Sequence, residues 1–153
     1  MIEIHIPGRG TFELEHVVFD VNGTLALDGI LLEGVVERLT ALQAHLTLHM
    51  LTADTHGRQE VIDTILGFQA QRIGTAAGKV RYVLDLGAEH VVAVGNGAND
   101  VGMLRAAALG IAVLGPEGAA ADALQAADIV APNIIVALEL LLNPRRIVAT
   151  LRR

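Results

Sequence analysis

Short apolar runs rich in β-branched residues alternate along this chain with segments of helical period, and that alternation constrains the fold more than any other feature. The runs cover residues 16–19, 46–51, 91–94, 110–114 and 129–130, with a weaker one over 69–73. Between them the apolar spacing predicts helices over 33–43, 55–66, 79–86, 99–107 and 119–126, then one or two closing helices over 133–151. Strands separated by helices of this length imply βαβ units, hence an α/β fold whose parallel sheet is covered by helices on both faces, in the three-layer Rossmann-like manner. Ahead of this pattern Ile2, Ile4 and Ile6 alternate with polar residues, Pro7-Gly8-Arg9-Gly10 makes a turn, and Phe12 and Leu14 alternate again. That is the signature of an N-terminal β-hairpin over 1–15. With 153 residues and no linker, one domain is expected.

Composition narrows the function classes. Hydrophobic residues make up 52% of the chain, which excludes disorder, and with three Phe, one Tyr and no Trp the core must be aliphatic. No apolar stretch reaches the roughly 20 residues that cross a bilayer, so no membrane partner is expected. Glu3 and His5 interrupt the first apolar run, which speaks against a signal peptide. The absence of cysteine removes disulfides, thiolate metal sites and cysteine nucleophiles, and a cytoplasmic location is expected. A net charge of −6 argues against a nucleic-acid partner, because Arg145, Arg146, Arg152 and Arg153 form the only basic cluster.

Ligands of open parallel sheets sit beyond the carboxyl ends of the strands. The polar residues there are Asp20, Thr52, Asn96, Asn99 and Asp100, and Lys79 lies on a helix that can point to the same edge. Lys79 is the only lysine among eleven basic residues, so a chain that otherwise uses arginine has kept an ammonium at one place. A carboxylate, a hydroxyl, an ammonium and a second carboxylate have a joint use in phosphoryl transfer. Asp20 attacks phosphorus, Thr52 and nearby backbone N–H groups bind phosphate oxygens, Lys79 offsets charge, and Asp100 helps to hold Mg²⁺. Taken singly, the same residues have plainer readings. Asn22-Gly23 can be a turn, Thr52 can lead into a helix capped by Asp54 or Thr55, and Lys79 can be an exposed helical side chain whose change to Met leaves folding intact. The six histidines, His56 among them, show no ligand spacing and are expected on the surface or on strand faces.

The segments Phe19-Asp20-Val21-Asn22-Gly23-Thr24-Leu25, Met50-Leu51-Thr52-Ala53-Asp54, Lys79 and Gly95-Asn96-Gly97-Ala98-Asn99-Asp100 resemble the four ordered motifs of the haloacid dehalogenase (HAD) phosphohydrolases. Gly110-Ile111-Ala112-Val113 and Ala126-Ala127-Asp128-Ile129-Val130 extend the likeness toward the phosphorylation domain of P-type ATPases, over residues 16–152. The resemblance implies a Mg²⁺-dependent phosphohydrolase working through a phospho-aspartate at Asp20. Asp20, Asn22 and Lys79 would be catalytic, and Thr52, Ala53, Lys79 and Asn99 would bind phosphate. Asp20, Asn22, Asn96 and Asp100 would surround the metal. The intervals before Thr52 and before Lys79 are too short for a cap or a nucleotide-binding domain, so a single capless domain is expected. It would act on a small phosphorylated substrate, with room for a second copy of the chain to close over the open site.

Two positions depart from the phosphatase pattern. Asn22 stands where those enzymes have an aspartate as general acid and base, and an amide cannot exchange a proton at neutral pH. Asn96 stands where the family motif supplies a metal-ligating carboxylate, which implies weaker Mg²⁺ binding. Slow turnover is therefore one expectation; a catalytically weakened phosphate-binding or regulatory module is the alternative, and a purely structural domain is a third.

Overall fold

The computed structural model describes residues 1–153. Its centre is a five-stranded sheet built from β3 (His16–Asp20), β6 (Thr47–Leu51), β7 (Val91–Gly95), β8 (Leu109–Val113) and β9 (Ile129–Ala131). All neighbours run parallel, in the order β6-β3-β7-β8-β9. Strand order therefore reverses between β3 and β7, and the crevice at such a reversal is where ligands bind in open α/β sheets. The ends of these two strands carry Asp20 and Gly95-Asn96.

Strand periodicity sorts the side chains into two layers. Val17, Phe19, Val92 and Val94 join a core of 30 buried residues on one face, with α1 (Val35–Leu42), α2 (Gln59–Leu66) and α6 (Ile134–Leu142). Val18, Val91 and Ala93 point the other way and meet α3 (Ala76–Leu86), α4 (Val101–Ala106) and α5 (Ala121–Ala126). A final helix, α7 (Pro144–Leu151), starts on proline, whose missing N–H is no loss in a first turn.

The hairpin of β1 (Ile2–Ile6) and β2 (Gly10–Leu14) forms as expected, pairing Ile2 with Leu14 and Ile6 with Gly10. Its buried Ile2, Ile4, Ile6 and Leu14 are part of the larger core. Glu15 leads it into the start of β3, so it joins the sheet at the end away from Asp20. A second, minimal hairpin of β4 (Ala26–Leu27) and β5 (Ile30–Leu31) makes a flap just after Asp20, with Asp28 and Gly29 both in the left-handed region.

Two expected elements differ. The helix anticipated from residue 55 begins at Gln59, because Asp54 (φ 55°) and Gly57 (φ 66°) adopt left-handed conformations that a right-handed helix excludes. The weak strand over 69–73 is a single bridge, Leu51 to Gln71, fixed by Gln71 N–H donating to Met50 O (2.8 Å) and Thr52 N–H donating to Gln71 O (3.0 Å).

Candidate active site

Six polar or charged residues are buried: Thr24, Thr52, Gln59, Lys79, Asn96 and Asp100. All but Gln59 converge at the β3–β7 reversal, so the costly burial of polar groups in this protein is concentrated at one place. No buried side-chain nitrogen or oxygen lacks a partner.

Lys79 is the hinge of the site. It sits one turn into α3, whose N-cap Thr75 accepts from Gly78 N–H (3.1 Å). Its side chain is 1% exposed and runs under the sheet edge, where Nζ donates to Asp20 Oδ1 and to Asp100 Oδ1, each at 2.8 Å. The reading of Lys79 as an exposed helical side chain is thus corrected, and so is the expectation that Met could replace it without cost to folding. One ammonium neutralises only one of two carboxylates. Burial first, and then the charge of Asp100, push the Asp20 carboxyl up to about 6 against the pull of Lys79. Burial alone would lower the Lys79 ammonium, but Asp20 and Asp100 outweigh it and raise it above its ordinary value.

Asp100 lies beneath the cavity, fully buried. Its Oδ1 takes Lys79, and its Oδ2 accepts the N–H groups of Asn96 (3.0 Å) and Gly97 (2.9 Å). A side chain on Gly95 would put its Cβ 2.5 Å from Asp100 Oδ2, which explains the glycine that opens this turn. Asp100 therefore holds the lysine and the turn after β7, and neither of its oxygens is left uncommitted. Asn96 accepts from Thr24 Oγ1 (3.2 Å) and donates through Nδ2 to Gly118 O (3.0 Å). Asn22 uses its Oδ1 to accept Gly29 N–H (3.0 Å), tying the flap to the strand end.

Above this base lies a polar cavity of about 310 Å³. It is lined by Asp20, Asn22, Thr52, Ala53, Lys79, Asn96 and Asn99, so every expected site residue except Asp100 reaches it. Thr52 accepts Asp54 N–H at its hydroxyl oxygen (2.9 Å), which leaves the hydroxyl hydrogen to point at a ligand. The Ala53 N–H has no partner within the protein. Asn99 donates to Gly74 O (3.1 Å), fixing the turn after β7 to the approach of α3. Thr55, His56, Gly74 and Glu117 also line the cavity and were not anticipated. Thr55 and His56 follow Thr52 in the loop after β6. Glu117 lies in the loop after β8, and the rule that selected Asp20, Thr52 and Asn96 would have reached it had it been applied to the fourth strand.

The donor set suits a small hard cation. Asp20 Oδ2 (3.3 Å) and the amide oxygen of Asn96 beside it (3.2 Å) share the single hydroxyl hydrogen of Thr24, so neither is fully engaged. Asp20 and Asn96 both line the cavity, as does Asn22.

The sequence profile of the haloacid dehalogenase-like hydrolases matches residues 74–134, which include Lys79 and the turn from Gly95 to Asp100. An uncharacterised protein of Methanocaldococcus jannaschii is 48% identical over 62 residues, 40% of this chain and 67% of that protein. The chain belongs to the haloacid dehalogenase-like family. Among solved HAD structures, 3-deoxy-D-manno-octulosonate 8-phosphate phosphatase of Moraxella catarrhalis, crystallised with magnesium, phosphate and KDO, shares the fold. It has a TM-score of 0.64, 21% identity, and coverage of 90% of this chain and 92% of that one. A zinc-transporting PIB-type ATPase in its E2.Pi state matches 78% of this chain with a TM-score of 0.63 and 27% identity, and the match spans 20% of the pump. No helix of this HAD protein is long and apolar enough to cross a membrane.

Proposed function

We propose that this protein is a Mg²⁺-dependent phosphohydrolase that forms a phospho-aspartate at Asp20, and that Asn22 makes it slow. The observation that carries the reading is the division of labour at Asp20. One oxygen is pinned by a buried lysine at 2.8 Å, and the other faces a polar cavity with only a long bond from Thr24. The lysine-held oxygen is thereby fixed as the nucleophile, and the other oxygen is left for the cation.

In the first half-reaction an Asp20 oxygen forms a bond to phosphorus as the bond to the ester oxygen breaks, and the leaving group departs as an alcohol once it gains a proton. Thr52 Oγ1–H and the Ala53 N–H bind phosphoryl oxygens, and Lys79 balances charge that would otherwise repel a dianion from an acidic protein. Asp20, Asn22 and Asn96 would hold Mg²⁺, which would supply electrostatic polarisation of the phosphoryl group. In the second half-reaction water attacks phosphorus and regenerates the Asp20 carboxylate with release of phosphate. Both steps move a proton, and the amide of Asn22 can do neither transfer. General acid–base assistance is worth about 10²–10⁴ in rate, which is the expected deficit.

The test is beryllofluoride binding followed by fluorine NMR, beside phosphate release from a panel of phosphate monoesters. Bound fluoride signals that need both Mg²⁺ and Asp20 support the phosphoenzyme. Signals that persist in Asp20→Asn overturn it. Mimic binding without steady phosphate release favours the regulatory module instead, a reading supported by the fixed role of Asn22 as a tether for Gly29.

A further inference from the structure

Asn96 gives up a carboxylate but gains a donor, and the donor is used. Its Nδ2 holds Gly118 O at 3.0 Å, while its own backbone carbonyl accepts Ala120 N–H at 2.8 Å. The loop after β8 closes on itself through Gly118 N–H to Gly115 O (2.9 Å), and Gly115 lies so close to Gly23 that a Cβ there would come 2.2 Å from its carbonyl oxygen. An aspartate at 96 has no hydrogen to give Gly118 O and would set two oxygens against each other. The asparagine that lowers the charge of the site is thus the residue that clamps this loop over it.

The loop carries Glu117. Its Oε1 lies 2.8 Å from the point where a Gly23 Cβ would sit, and the two side-chain polar atoms of Asn96 lie 2.9 and 3.2 Å from that point. Glu117 lines the same cavity as Asp20 and takes part in none of the protein's ion pairs. A hard divalent cation prefers anionic oxygens, and Asp20 alone has one to spare, since both oxygens of Asp100 are engaged.

We propose that Glu117 is a carboxylate ligand of the divalent cation, returning from the loop after β8 the negative charge that Asn96 withholds. The proposal rests on the phosphatase reading of the site, and Mn²⁺ binding measured by electron paramagnetic resonance, without turnover, separates the two. Four proteins are compared with the wild type in the presence of beryllofluoride: Glu117→Gln, Asp20→Asn, the double variant Glu117→Gln/Asn96→Asp, and Glu89→Gln as a control for bulk charge on an exposed residue. Glu117→Gln is expected to weaken Mn²⁺ about 10–100-fold, the loss typical when groups that support a metal site are removed. Glu89→Gln should stay within about twofold of wild type, and the double variant should recover about tenfold or more, because a carboxylate is back beside the metal. If Mn²⁺ binding depends on Asp20 but Glu117→Gln leaves it unchanged, the ligand role is overturned while the phosphatase reading stands. Unchanged Mn²⁺ affinity with slower phosphoenzyme hydrolysis also overturns it, assigning Glu117 to proton transfer. Equal losses in Glu117→Gln and Glu89→Gln reduce it to bulk charge. Wild-type Mn²⁺ binding that survives in Asp20→Asn overturns both readings.

Discussion

Replacing Lys79 by Met removes the only cation from between two buried carboxylates. The side chains of Asp20 and Asp100 are 14% and 0% exposed, so solvent screens them poorly once the ammonium is gone. Breaking a buried ion pair by removing one partner costs about 3–5 kcal/mol, a large share of the roughly 5–15 kcal/mol that holds a domain together. For a chain of this size that corresponds to a fall in Tm of about 6–20 °C. The loss should depend on pH. Asp20 already titrates near 6 because of burial and Asp100, and without Lys79 its carboxyl is driven higher. Below that value Asp20 is neutral; above it its charge faces the Asp100 carboxylate with no cation between them. Urea unfolding without metal should therefore show a larger deficit at pH 8 than at pH 5, by about 1 kcal/mol or more. Adding Asp100→Asn to the Met variant should recover part of the loss at pH 8. A Met variant within about 1 kcal/mol of wild type at pH 8 would refute the buried triad as a source of stability, as would a deficit that Asp100→Asn does not touch.

Three further outcomes are expected. Asn22→Asp should speed phosphoenzyme hydrolysis about 10²-fold or more, since Gly29 N–H keeps an acceptor at 22 while a proton carrier is restored; single-turnover dephosphorylation unchanged from wild type would count against the missing acid/base. The Asp20 pKa is raised on folding from 3.8 to about 6, so its contribution to stability is present below pH 4 and is lost as pH rises through 6; metal-free wild type minus Asp20→Asn should lose roughly 2–3 kcal/mol across that window, and a flat difference would contradict the shift. Burial first, and then His16, hold His49 down from 6.5 to about 4, where it bonds His16 (3.1 Å) and Tyr82 (2.8 Å). The stability this provides is present above pH 6.5 and is lost as pH falls through 4, and a His49 NMR resonance that titrates near 6.5 would contradict it.

The architecture was legible because two local periods, 2 and 3.6, change over at turn residues, and because a parallel sheet buries nearly continuous apolar runs such as Val91 to Gly95. Asp20, Thr52 and Asn96 were legible because they follow such runs directly. Lys79 was identified by being the sole lysine, yet its burial was hidden, since a helix shows its period and not which neighbours close over one of its faces. The start of α2 was misplaced because the left-handed conformation of Asp54 arises from a loop that folds back on β6, where Asp54 Oδ1 accepts Gln59 N–H (3.1 Å). Glu117 follows the apolar run of β8 and was within reach of the same rule; only its neighbour was hidden. Its place beside Gly23 depends on contacts between loops more than 90 residues apart in the chain.

The two asparagines, alike in sequence as departures from a family motif, differ physically. Asn22 contributes only an acceptor, to Gly29 N–H, and an aspartate provides the same oxygen with a charge added. Asn96 accepts from Thr24 and donates to Gly118, and only an amide does both without protonation. Asn22→Asp therefore restores chemistry within an undisturbed scaffold. Asn96→Asp trades the clamp on the loop after β8 for a carboxylate next to Asp20, in a site where Lys79 already balances only one of two charges. The consequence is that the two changes should not add: the rate gained at 22 should survive in the double variant, whereas metal affinity gained at 96 should be offset by a loosened Glu117 loop. Hydrogen exchange at Gly118 and Ala120 measures that loosening directly. Protection there that is equal in wild type and Asn96→Asp would remove the amide clamp from the account and leave Asn96 as a simple loss of charge.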